Sequence, residues 1–73
     1  MDLETWLSGI VDGKKLQIAV TKCEDAVIES LADLVKLYES GKTKGKAGLE
    51  TVFPTMLAVI IDEALVKRYG HLS

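Results

Sequence analysis

VFPTMLAVIIDEALV, residues 52–66, is the most apolar run of the sequence and predicts a central helix. Pro54 suits the first helical turn, because a backbone N–H at that position would have no partner within the helix. Thr51 is a candidate N-cap, since its hydroxyl can accept a hydrogen bond from an early N–H. Gly70 is placed to end the helix. We therefore predict a helix over residues 51–69.

Apolar residues cover almost the whole circumference of this predicted helix. Only Asp62, Glu63 and Lys67 interrupt them, and a helix that is apolar nearly all round is buried on more than one side. The run is also too short to span a bilayer, which needs about 20 apolar residues. We expect a core helix and no transmembrane segment.

A second, longer helix is predicted over residues 15–40. Thr21 and Glu24 match a capping box, so this helix can begin or be capped again at Thr21. Ser40 and Gly41 are placed to end it. Its apolar residues recur every three or four positions, which is close to a heptad pattern: Leu16, Val20, Cys23, Val27, Leu31, Leu34 and Tyr38.

The N-terminal residues predict a short first helix near 2–11, with Asp2 as its cap. Asp12-Gly13 then favours either of two structures. The dipeptide is a strong hairpin signal between short apolar runs, but a lone two-stranded hairpin is marginal in water. We prefer a helix–turn–helix over a hairpin at residues 10–18.

Composition places the chain among small folded proteins. Its 73 residues make one domain, 1–73, with a net charge of −2. A chain of this size buries only about 60% of its unfolded surface, so oligomerisation is a common source of extra stability. The single cysteine excludes an intrachain disulfide, and the acidic N-terminus is unlike a signal peptide. These features favour a cytoplasmic protein.

A loop rich in glycine and lysine, GKTKGKAG, is predicted at residues 41–48. It lacks the spacing and the preceding strand of a nucleotide-binding P-loop. A flexible contact with phosphate groups or nucleic acid through its lysines is the weaker alternative: Lys42, Lys44 and Lys46.

Catalytic and metal chemistry find little support in the sequence. His71 is the only histidine and Cys23 the only cysteine, and nothing fixes the one near the other. The inward-pointing Glu-x-x-His pairs of a di-metal helical bundle do not occur. We expect neither an enzyme nor a metal or other cofactor.

The sequence as a whole predicts an all-α fold, a small three-helix antiparallel bundle made of a short N-terminal helix and a long helical hairpin. Its apolar surface exceeds what three such helices can cover, so we expect a homodimer, a higher oligomer, or a groove for a partner helix. The function expected is a non-enzymatic protein–protein interaction module: an adaptor, a subunit or a regulator. The alternatives are a nucleic-acid-associated regulator and a small viral or membrane-peripheral structural protein. The predicted partner-binding residues are Trp6, Ile28, Phe53, Met56 and Val59.

Overall fold

The computed structural model of the protein describes residues 2–39 and 46–70, and these form five α-helices without a strand. The all-α prediction is confirmed, whereas the prediction of three helices is wrong for the described residues. The helices are α1 (Leu3–Ser8), α2 (Gly13–Asp25), α3 (Leu31–Glu39), α4 (Lys46–Leu49) and α5 (Thr55–Tyr69).

Asp2 caps α1, as predicted. Its Oδ1 accepts hydrogen bonds from the backbone N–H of Glu4 at 2.8 Å and of Thr5 at 3.2 Å. The bond from the Thr5 backbone is the largest of the effects that lower the pKa of Asp2. The helix ends at Ser8, earlier than predicted, and the chain then turns through Gly9.

Residues 10–18 lead into a helix, so the helix–turn–helix prediction is confirmed and the hairpin alternative is wrong. Asp12 is extended and Gly13 opens α2. Gly13 has a φ of +55°, a left-handed conformation that glycine adopts at no steric cost. The Asp12-Gly13 pair therefore lies at the start of a helix and does not form a hairpin turn.

The single helix predicted over 15–40 is wrong, because the chain leaves the helix between Asp25 and Leu31. The N–H of Val27 donates to the carbonyl of Glu24 at 3.1 Å, and that of Ile28 to the carbonyl of Cys23 at 2.8 Å. This pair of bonds is a Schellman motif, which satisfies the last carbonyls of a helix. Cys23, Ile28 and Leu31 thereby all enter one core.

The motif places Val27 where glycine is usual. Its φ is +58°, and among the described residues it is the only one other than glycine with a positive φ. A left-handed conformation costs an L-residue roughly 1–2 kcal/mol, and a β-branched residue is a clear outlier there. The end of α2 is therefore strained at Val27.

The capping box predicted at Thr21 is wrong, because Thr21 lies inside α2. The helix that follows, α3, is capped by Ser30 instead. Ser30 Oγ accepts from the N–H of Asp33 at 3.2 Å, and the Asp33 carboxylate accepts from the N–H of Glu29 at 3.1 Å. These bonds satisfy donors that a helix start leaves free. Local hydrogen bonds therefore satisfy backbone groups both at the end of α2 and at the start of α3.

The loop predicted over 41–48 is wrong at its end, because Lys46–Leu49 forms α4, in which Gly48 and Leu49 are buried. Residues 41–45 lie outside the described part of the chain. The hydroxyl of Thr51 donates to the carbonyl of Gly48 at 2.6 Å, so Thr51 is not the predicted N-cap. The helix α5 starts at Thr55 instead, directly after Pro54.

α5 supplies the centre of one continuous core. It buries Leu57, Ala58, Ile61 and Leu65, and Gly70 ends it with a φ of +75°, as predicted. The largest fully buried side chains come from four different helices: Leu7, Leu34, Leu49, Ile61 and Leu65.

Backbone packing divides the chain at the break between α2 and α3. α2 makes its main backbone contacts with α1, whereas α4 packs against both α3 and α5. Side chains from both halves then share the core. The protein therefore consists of an α1–α2 half and an α3–α5 half joined by residues 26–30.

Across residues 2–39 and 46–70, no helix combines the length and the apolar character needed to cross a membrane.

Candidate binding groove

A groove of about 380 Å³ lies between α1, the C-terminal half of α2 and residues 27–29. This volume is at the low end of the range of ligand-binding pockets, about 300–1,000 Å³. Apolar side chains of all three segments line it: Leu3, Leu7, Val20, Cys23, Val27 and Ile28.

Four acidic residues also line the groove, and none of its lining residues within the described ranges is a lysine or arginine. Asp2 and Glu4 stand at the start of α1, and Glu24 and Glu29 stand on the side of α2 and the break. All four residues are exposed. A concave surface lined by one sign of charge concentrates the field and attracts the opposite charge. We call this site the acidic groove.

Cys23 is part of the apolar lining and is only 3% exposed. Burial, and secondarily the negative charge of Glu24, raise the pKa of its thiol to about 11. The thiol is therefore neutral at pH 7, and a neutral buried cysteine behaves as a small apolar group. It suits the floor of a binding site better than it suits nucleophilic chemistry.

Val27 forms the lip of the groove and is 72% exposed. Its neighbour Ile28 is 8% exposed and reaches into the core while it also lines the groove. The Schellman motif therefore builds one wall of the site. Without the break in the helix, these two residues would not stand opposite α1.

The predicted partner-binding residues occupy two different environments. Trp6, Ile28 and Phe53 are buried in the protein's own core. Met56 is 67% exposed, and Val59 is half-buried on the same helix. Of the five, only Ile28 lines the acidic groove.

Sequence reasoning missed the acidic groove because it assigned Asp2 and Glu24 to helix caps and had no signal that brings the two residues to one site. Glu24 and Glu29 flank a break that the apolar spacing did not indicate. The one available signal was Ser30 followed by Asp33 three residues later, a capping pattern inside the supposed helix. It marks the true start of α3.

The lysine contact with nucleic acid stays a prediction. Lys42 and Lys44 lie outside the described residues, and Lys46 is exposed at the start of α4. Within the described ranges, no three histidine, cysteine or acidic side chains come together as metal ligands. His71 lies outside these ranges.

A comparison of the chain with protein-family models, curated proteins and solved structures finds no match.

Proposed function

We propose that this protein is a non-enzymatic protein-binding module whose acidic groove takes one face of a partner helix that carries aliphatic and basic side chains. The observation that supports this is the combination of an apolar lining with four acidic residues and, in the part of the chain that the structure describes, no lysine or arginine. Aliphatic side chains of the partner fill the groove, and lysine or arginine side chains reach the carboxylates.

The size of the groove sets the strength of binding. Burying one aliphatic side chain contributes about 1.5–3 kcal/mol, and two or three such side chains fit a site of this volume. Association costs at least about 4 kcal/mol of lost freedom. Contacts of the basic side chains with exposed carboxylates add little each and are screened by salt. We therefore expect affinities of about micromolar or weaker that fall as salt rises.

The partner-binding role fits a cytoplasmic protein, since the only cysteine is free, buried and neutral. The proposal assigns no catalytic step to the groove. The other expectations from the sequence, a nucleic-acid-associated regulator and a viral or membrane-peripheral structural protein, gain no specific observation from the described residues.

The test uses two synthetic helical peptides of equal length, one of leucine and lysine and one of leucine and glutamate. Isothermal titration calorimetry should show binding of the leucine–lysine peptide only, weakened by added salt. Glu24→Lys and Glu29→Lys should each weaken binding several-fold, because each reverses one charge of the groove. Asp25→Lys is the matched control, since Asp25 is exposed next to Glu24 but does not line the groove.

Two results would overturn the proposal. One is equal binding of the leucine–glutamate peptide, which would show that charge plays no part in recognition. The other is an equal loss of affinity in Asp25→Lys and Glu24→Lys, which would reduce the effect to overall net charge.

A further inference from the structure

The sequence between α2 and α3 is better suited to a helix than to the turn it forms. Residues 14–40 contain neither glycine nor proline, and Val27 sits in the middle of the regular apolar pattern of Leu16 to Tyr38. In the structure Val27 instead has a left-handed backbone and an exposed side chain. A straight helix would relieve that conformation and return Val27 to the apolar side of the pattern.

A straight helix from 13 to 39 could not be part of the same compact fold. At 1.5 Å per residue its 27 residues would extend about 40 Å, whereas the longest dimension of the protein is 30 Å. The two halves would then be held apart within one chain. Each half would expose the core side chains that the other half now covers.

We propose that residues 26–30 are a hinge, and that two copies of this chain exchange their α3–α5 halves across straightened hinges to form a symmetric dimer. Each α1–α2 half then packs against the α3–α5 half of the second copy. The core contacts made outside residues 26–30 are rebuilt between chains. Ile28, which the bend places in the core, is the one core residue whose contacts the straight hinge changes. The closed form, which is the monomer with a bent hinge, keeps the Schellman bonds and the Ser30 cap. In the exchanged dimer, Val27 and its neighbours become helical instead.

The exchange has a consequence that rests on the proposed function. Val27, Ile28 and Glu29 form one wall of the acidic groove only while the hinge is bent. A ligand in the groove therefore binds the closed monomer and draws the population away from the dimer. Ligand binding in the acidic groove and formation of the exchanged dimer therefore depend on the same three residues.

Sedimentation equilibrium from about 10 μM to about 1 mM tests the hinge without any ligand. Val27→Gly favours the bent hinge, because glycine adopts a positive φ freely and weakens a helix. Val27→Ala combined with Ser30→Ala favours the straight hinge, since it restores helix propensity and removes the cap of α3. We expect the double variant to dimerise at least tenfold more tightly than the wild type, and Val27→Gly at least tenfold more weakly.

Val66→Ala is the matched control, because it removes the same two methyl groups from a half-buried position on α5, far along the chain from the hinge. It should leave the association constant near that of the wild type. Mixing labelled and unlabelled dimers should give heterodimers only as slowly as the chains unfold, because exchange requires the halves to separate.

The proposal is overturned if the double variant stays monomeric at 1 mM, or if Val27→Gly associates as tightly as the double variant. Heterodimers that form within seconds would also overturn it, since they would indicate simple surface contact. If the double variant fails to fold, the comparison of the wild type with Val27→Gly tests the proposal. A wild-type dimer that Val27→Gly weakens supports the hinge, and equal association constants of the two proteins contradict it. None of these outcomes depends on the groove binding a peptide.

Discussion

Tyr38 and Asp62 form a hydrogen bond that ties α3 to α5, and its removal gives a defined loss of stability. The hydroxyl of Tyr38 donates to Asp62 Oδ1 at 2.6 Å. Among the described residues, no other hydrogen bond joins side chains on different helices. A bond to a charged acceptor contributes about 1.5–3 kcal/mol. Asp62 is only half-buried, so in Tyr38→Phe water can hydrogen-bond to its carboxylate and offset part of the lost bond energy. We therefore expect this substitution to lower the free energy of unfolding by about 1.5 kcal/mol.

Urea unfolding followed by fluorescence measures this loss. Trp6 is the only tryptophan of the chain and is buried in the core, so its emission reports global unfolding. A cost of 1.5 kcal/mol corresponds to a melting temperature about 6–12 °C lower. In a double-mutant cycle with Asp62→Ala, the coupling energy should be about 1 kcal/mol or more. Additivity of the two changes within about 0.3 kcal/mol would show that Tyr38 and Asp62 do not stabilise each other.

The same bond predicts a dependence of stability on alkaline pH. The hydrogen bond to Asp62, followed by burial and the charge of Asp62, raises the pKa of Tyr38 to about 12 from an ordinary value of 10.0. A group whose pKa is raised on folding stabilises the protein below its unfolded pKa and loses that contribution as pH rises through its folded pKa. This contribution should therefore be complete below pH 10 and disappear between about pH 10 and pH 12.

Cys23 titrates in an overlapping range, since its pKa is raised from 9.0 to about 11. The alkaline loss of stability is therefore best measured in a Cys23→Ala background. There, Tyr38→Phe should remove the loss that remains between pH 10 and pH 12. An unchanged pH profile would show that Tyr38 is not held by Asp62.

Three further changes probe the fold, each read from urea unfolding at pH 7. Val27→Gly should stabilise the chain by about 0.5–1 kcal/mol, because relief of the left-handed strain exceeds the added backbone entropy; destabilisation of that size would mean that Val27 is helical. Asp2→Ala should cost about 1 kcal/mol through the lost cap of α1, and no change would mean that the two capping bonds do not persist in solution. Ile61→Ala should cost about 2–5 kcal/mol, because Ile61 is completely buried; a cost below about 1 kcal/mol would place it outside the core.

The parts of the fold that could be predicted depend on local chemistry. Asp2 caps the residues directly after it, Pro54 permits a helix only after itself, and Gly70 ends one. Each of these residues determines its structure with atoms a few positions away. The start of α1 and both ends of the central helix were therefore readable in the sequence to within a few residues.

The break between α2 and α3 could not be read from the apolar spacing. Periodicity reports which residues share a face, and it continues unchanged across Val27. The turn also lacks the glycine that commonly marks a helix end. Burial of Ile28 and Leu31 in the shared core sets the direction of the chain there, and that is a property of the whole fold.

The break also changes which apolar side chains the protein itself covers. One long helix would have exposed a wide apolar arc, whereas two shorter helices turn their apolar residues to a common centre. Trp6 and Phe53, predicted as partner contacts, are therefore covered by the chain itself. The apolar surface that remains includes the lining of the acidic groove and the outer side of α5 at Met56.

An NMR titration of the ¹⁵N-labelled protein with the leucine–lysine peptide shows residue by residue whether the peptide binds in the acidic groove. We expect the shifted amides to cluster on α1, on Val20–Glu24 and on residues 27–29, with Met56 and Val59 unaffected. Shifts that cluster instead around Met56 and Val59 would contradict it and place the binding surface on the outer side of α5.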